Sequence, residues 1–165
     1  ASALGDYIPA KLNFDDGERV VGMKSISEYT EDGNFTFIFA NGKGVRVGMK
    51  QYETKSNRRK LTGAYSDKSP LKALFRLTED VQLALYSTEG RALVFSTAQL
   101  AAKTTRATQG VAVLTLKRKA SLCRAVELER SGIVNAARYR TRTLPATGAL
   151  LRPEDAEEKQ MELEL

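Results

Sequence analysis

Apolar and polar residues alternate in two stretches of the chain that share one layout. In "NFTFIFANGKGVRVG", Phe35, Phe37 and Phe39 take every second place, Asn41-Gly42 follows, and Val45 and Val47 resume the alternation. In "VQLALYSTEGRALVF", Val81, Leu83 and Leu85 precede Glu89-Gly90, and Leu93 and Phe95 follow. A period of two puts successive side chains on opposite faces of a strand. An X-Gly pair between such runs predicts a tight hairpin, because the turn needs a positive φ that glycine adopts freely. Further strands are predicted over "RVVGMKSI" (19–26), "LTGAYS" (61–66), "LKALFRLT" (71–78), "GVAVLTLK" (110–117), "LCRAVEL" (122–128) and "GIVNAAR" (132–138). The segments "MKQYE" and "STAQLA" each fit one helical turn, and no long amphipathic helix is predicted.

The two hairpins belong to a repeat. At an offset of 48, Gly42 meets Gly90, Gln51 meets Gln99, Lys55 meets Lys103 and Arg58 meets Arg106. Lys43 meets Arg91, Val45 meets Leu93, Val47 meets Phe95 and Tyr52 meets Leu100. Upstream the offset becomes 51, pairing Phe14 with Tyr65, Asp16 with Asp67 and Val20 with Leu71. A repeat of this length indicates stacked modules. About four strands per copy leave a sheet with an open face and two open edges, which neighbouring copies cover. The expectation is an all-β, propeller-like repeat domain over residues 1–143. Repeat 1 covers about 10–60, repeat 2 about 61–110, and a partial third unit 111–143. Residues 144–165 read as a loop followed by an acidic tail.

Composition removes several kinds of chemistry. The 165 residues include no histidine and a single cysteine, Cys123. Histidine-dependent nucleophilic catalysis, the usual zinc sites and an internal disulfide are therefore excluded. Cys123 lies in an alternating stretch and reads as a core or strand residue. The carboxylate pairs Asp15–Asp16, Glu31–Asp32 and Glu79–Asp80 fall at predicted turns, where acids are expected for structural reasons. Tyr65 and Tyr86 alternate with apolar neighbours and read as core. No catalytic, metal or cofactor site is expected. No apolar run approaches the ~18 residues of a membrane span. The first residues lack the pattern of a signal peptide and read as the interior of a longer chain. A cytoplasmic location without membrane partners is expected.

Charge changes the picture most. The tail from Glu154 carries six acids and one base, so a chain of net charge +6 has a body of net +11. Lys43, Arg46, Lys50, Lys55, Arg58, Arg59 and Lys60 occur with one acid, Glu53. Lys103, Arg106, Lys117, Arg118, Lys119 and Arg124 occur with none. Both clusters follow a hairpin, so stacked units would align them along one rim. Together with Arg91, the bases from Lys43 to Lys60 and from Lys103 to Lys119 are the candidate contacts for a polyanion. Arg138, Arg140 and Arg142 are possible additions. Neighbouring Ser, Thr and Asn residues add donors suited to phosphate oxygens. Only Tyr52 is aromatic between Lys43 and Lys60, which disfavours stacking on single-stranded bases. No recognition helix is predicted for a major groove. The expected ligand is duplex DNA, held and bent through its phosphates. The alternative is a propeller-like protein-interaction module whose charge serves solubility.

The stretches "LNFDDGERVVGM", "FIFANGKGVRVGMKQY", "LALYSTEGRALVF" and "RATQGVAVLTL" resemble the C-terminal domain of the A subunit of bacterial type IIA topoisomerases, DNA gyrase and topoisomerase IV. The resemblance runs roughly from Gly5 to Val126. It rests on the "GER" turn at Gly17–Arg19, the hairpin glycines Gly42 and Gly90, the loop arginines Arg58 and Arg106, and Gly110-Val111. The basic glycine-rich box of gyrase-type members has no match, and two repeats are present where a full ring needs five or six. The resemblance implies a β-pinwheel of four-stranded blades that exchange strands, here two repeats with flanking strands. It implies a non-catalytic domain that binds and bends duplex DNA on a positively charged rim. The parent would be an ATP-dependent type IIA topoisomerase, cytoplasmic and nucleoid-associated. Partners would be the B subunit and the rest of the A subunit.

Overall fold

The computed structural model describes residues 33–53, 61 and 63–156. Nine strands run in chain order among them: β1 (Asn34–Phe39), β2 (Lys43–Gly48), β3 (Leu71–Leu77), β4 (Gln82–Ser87), β5 (Arg91–Ser96), β6 (Ala102–Lys103), β7 (Val111–Ala112), β8 (Leu122–Glu127) and β9 (Ala149–Leu150). Both predicted hairpins form. Phe35 faces Val47 and Phe37 faces Val45 in the first, and Leu83 faces Phe95 and Leu85 faces Leu93 in the second. The two expected helical turns follow as 3-10 turns at Met49–Tyr52 and Thr97–Gln99. The second is closed by a reciprocal cap, in which Ser96 Oγ accepts from the Ala98 N–H and Gln99 Oε1 accepts from the Ser96 N–H.

Sequence repeat and sheet are out of phase. The first sheet has the order β3-β1-β2-β6, with β7 also on β2, and the second has the order β8-β4-β5-β9. Thus β3, which leads into the second hairpin, pairs backwards onto β1, with Leu74 opposite Phe37. β8 repeats this on β4, with Ala125 opposite Leu85. The far edge of β2 is closed by β6, running parallel, and by β7, running antiparallel, both from beyond the second hairpin. Each hairpin therefore has both its outer sides paired by later chain, along β3 or β8 on one side and by two-residue strands on the other.

Stacking buries both faces of the strands. Ile38, Ala73 and Phe75 of the first sheet meet Leu83, Leu85, Leu93 and Phe95 of the second in one core. Phe35, Phe37, Phe39, Val45, Val47 and Met49 bury the opposite face of the first sheet. The opposite face of the second consists of Ala84, Ala92 and Val94. It is covered by Tyr139, with Leu128, Ile133 and Leu151 packed around it.

Several local expectations are corrected. In "LTGAYS" the described residues form no strand and Gly63–Tyr65 are turn and bend, because Gly63 takes φ +66° and Tyr52 Oη donates to the Ala64 carbonyl at 2.7 Å. Only Val111–Ala112 of "GVAVLTLK" joins a ladder as a strand. "GIVNAAR" does not form a strand: Gly132 and Asn135 both have positive φ, and a 3-10 turn follows at Ala136–Arg138. Ile133 packs instead against the second sheet. Cys123 is a strand residue, as expected, on the exposed side of β8. Tyr65 is 37% exposed, its ring stacked on Phe37 at 5.6 Å. Tyr86 is half-buried under the Arg124 guanidinium. The chain after Leu144 is more than loop and tail. It forms β9 and a 3-10 turn, Pro153–Asp155, in which Asp155 is fully buried. "RVVGMKSI" and residues 157–165 lie outside the described residues.

Candidate nucleic-acid interface

The outer edge of β2 gathers one group of the candidate bases. Lys103 enters the sheet on β6 opposite Val47, and the loop 104–110 then leaves the edge and returns as β7 beside Lys43 and Gly44. Gly110 permits that return. Its φ is +77°, and a Cβ there would lie 2.2 Å from the Gly44 carbonyl oxygen. Lys43 Nζ donates to Gln109 Oε1 at 3.4 Å, tying the loop to the hairpin. Burial holds the Tyr52 phenol well above its usual range, and the nearby Arg106 charge partly offsets this. Tyr52 Oη also donates to the Ala64 carbonyl at 2.7 Å. Lys55, Arg58, Arg59 and Lys60 lie outside the described residues.

Other candidates have local duties. Arg46 points into the seam between the sheets. Its Nη1 donates to Asp80 Oδ1 at 2.8 Å and to the Thr97 carbonyl at 3.3 Å. Asp80 in turn accepts from Thr97 Oγ1. The equivalent position in the second hairpin is the buried Val94, so Arg46 acts as a strut between sheets. Arg46→Ala is expected to lower unfolding free energy by about 1–2 kcal/mol, through lost packing and a lost charge-assisted bond. Duplex affinity should change less than twofold, and parallel denaturation and binding titrations check both. Lys50 pairs with Glu53 at the surface. Lys117, Arg118 and Lys119 occupy a turn against the tip of the β4–β5 hairpin, where the Lys117 N–H donates to Glu89 Oε1 at 3.2 Å.

The edge of β5 repeats the construction of the β2 edge at a spacing of 38. Arg140 bridges Val94 in parallel, and β9 returns antiparallel on Arg91 and Ala92. Gly148 matches Gly110: its φ is +69°, and a Cβ there would lie 2.3 Å from the Ala92 carbonyl oxygen. Arg140 and Arg142 thereby stand in an edge loop equivalent to that of Lys103 and Arg106. Arg140 Nε donates to Gln82 Oε1 at 2.7 Å. Arg91, Arg138 and Arg152 line an open cavity of about 690 Å³ on the same edge. Arg152 was missed from sequence because it stands in a segment read as loop. At the β8 end, Glu79, Asp80, Glu127 and Glu129 line a separate cavity of about 490 Å³. That carboxylate cavity also includes Gln82 and Ser96, which line a shallow pocket with Arg140 and Arg142 as well. Among the described residues, no group of three or more His, Cys, Asp or Glu side chains could hold a metal ion, and no helix is long and apolar enough to cross a membrane.

No family model matches the chain, and neither does any curated protein. Solved structures do. The crystal structure of the C-terminal domain of DNA topoisomerase IV matches with a TM-score of 0.69 and 22% identity, over 79% of this chain and 41% of the other. The DNA gyrase A C-terminal domain matches with a TM-score of 0.67 and 19% identity, over 92% of this chain and 55% of the other. The chain thus spans about half, or less, of the structures it resembles. It is an all-β protein with the fold of the C-terminal domains of DNA topoisomerase IV and DNA gyrase A.

Proposed function

We propose that the chain is a non-catalytic module that binds duplex DNA through phosphate contacts and bends it, as the accessory domain of a type IIA topoisomerase. The observation that carries this reading is the edge construction made twice. The loop from Lys103 to Gly110 and the loop from Arg140 to Gly148 leave adjacent stacked sheets in the same manner, each with basic residues. Successive cationic loops on stacked sheets suit a duplex backbone that curves around them. On this reading the partners are duplex DNA, the B subunit and the remainder of the A subunit, in the bacterial cytoplasm at the nucleoid. The pinwheel arrangement of the whole domain follows from the same reading.

Fluorescence anisotropy on a generic duplex across a salt series tests it. With about five phosphates neutralised, the logarithm of the binding constant should fall with log salt at a slope near −4 to −5. Lys103→Ala with Arg106→Ala should weaken binding about tenfold or more and make the slope shallower by about 2. A flat salt response would instead favour a protein-interaction module.

A further inference from the structure

Glu154 and Asp155 are adjacent carboxylates with opposite situations. Asp155 is fully buried and receives hydrogen bonds from Tyr139 Oη, Asn135 Nδ2 and Arg138 Nη1. Glu154 is 64% exposed, yet it lies between two arginines, 3.1 Å from Arg138 Nη1 and 3.6 Å from Arg152 Nη1. Both arginines line the open cavity on the β5–β9 edge, and Arg91 completes it. Two of these guanidinium groups are positioned by acceptors other than Glu154. Arg138 is held by Asp155 at 3.0 Å, and Arg91 Nη1 donates to the Gly148 carbonyl at 3.2 Å. Removing Glu154 would leave these contacts in place on the cavity wall.

We propose that this cavity is a phosphate subsite, two of whose arginines Glu154 neutralises from beside it as an internal counter-ion in the free chain and releases when a phosphodiester enters. Guanidinium groups suit the tetrahedral, multiply accepting phosphate better than one exposed carboxylate. The ion pairs of Glu154 are exposed and hence weak, so a ligand with more acceptor oxygens displaces it readily. The subsite rests on the DNA reading for the identity of its ligand. It adds Arg91, Arg138 and Arg152 to the loop bases, one sheet beyond Lys103 and Arg106.

The test is a double-mutant cycle on the full chain with a generic duplex, using Glu154→Gln and Arg152→Ala, with Glu79→Gln as a control for total charge. Glu154→Gln should tighten binding about three- to tenfold, more than Glu79→Gln does. Arg152→Ala should weaken binding, make the salt slope shallower by about 1, and abolish the gain from Glu154→Gln. A gain that persists in the Arg152→Ala background, or that equals the control, overturns the proposal. The second arm follows the arginine Nε–H resonances of the wild type and Glu154→Gln as inorganic phosphate is added. Shifts confined to the cavity arginines, at lower phosphate in Glu154→Gln, support the subsite even if no variant binds duplex. That outcome would sink only the DNA reading and assign the site to free phosphate. Unmoved resonances together with unaltered duplex affinity exclude the subsite.

Discussion

Gly42→Ala should cost about 2–5 kcal/mol of unfolding free energy, whereas Gly90→Ala should cost only about 1–2. The two glycines hold the same place in the repeat, and their φ angles are +82° and +79°. Each substitution therefore carries the left-handed penalty of an L-residue, roughly 1–2 kcal/mol. Surroundings separate them. Nothing lies within 4 Å of a Cβ at Gly90. At Gly42 the new carbon would lie 2.2 Å from the Leu114 carbonyl oxygen and 3.3 Å from Leu116 Cδ1. The Gly42 carbonyl also accepts from the N–H groups of Val113 and Leu114, at 2.9 and 3.0 Å. The segment that leaves β7 is thus seated on the first hairpin turn, and any added side chain must push it away. Overpacking adds about 1–3 kcal/mol to the left-handed penalty. Denaturant midpoints with unchanged m-values check the comparison. Equal losses at the two glycines would mean that the crossing segment does not bear on the first turn.

That contrast also marks where sequence becomes silent. The hairpins were readable because alternation and an X-Gly turn are local features, and the offset of 48 repeats them almost residue for residue. The flanking strands kept the second offset, since β3 and β8 begin at Leu71 and Leu122, 51 apart. The destination of those strands was not readable from pattern, because pairing with the preceding hairpin is decided by non-local contacts. Nor was the spacing of 38 between the edge loops visible. The strands that define it, β7 and β9, have two residues each, and their main shared mark is the glycine before each return. "GIVNAAR" failed for a related reason. Its β-branched Ile133-Val134 pair suggests a strand, but left-handed residues at Gly132 and Asn135 fold it into a cover for the second sheet. The strut made by Arg46 was not legible either, because charge alone does not reveal that Asp80 and the Thr97 carbonyl lie within its reach.

The cover over the second sheet hangs on one residue, and its loss should be the largest single effect there. Tyr139 is 2% exposed and packs on Ala84, Ala92 and Val94. Its backbone brackets Val94: the Val94 N–H donates to the Tyr139 carbonyl at 2.7 Å, and the Thr141 N–H donates to the Val94 carbonyl at 2.9 Å. Tyr139→Ala should therefore cost about 3–5 kcal/mol, as truncation of a buried aromatic does. Tyr139→Phe keeps the ring and removes the hydroxyl, which donates to Asp155 and accepts from the Arg152 N–H. That change should cost about 1–2 kcal/mol at neutral pH. Acid titration identifies the partner. The Tyr139 hydroxyl first, then Asn135 and Arg138, hold the Asp155 carboxyl below the ordinary carboxylate range against the opposing effect of burial. A lowered folded-state pKa gives stabilisation that is complete above the unfolded value of ~4 and is lost as pH falls through the lowered value. Burial keeps the Tyr139 phenol raised and hence neutral, so the gap between wild type and Tyr139→Phe should stay constant from pH 5 to 8. Below ~4 it should narrow, because protonated Asp155 no longer rewards the phenol with a charge-assisted bond. A gap that holds its full size at the lowest pH where the chain stays folded would show that the phenol is not stabilising a carboxylate.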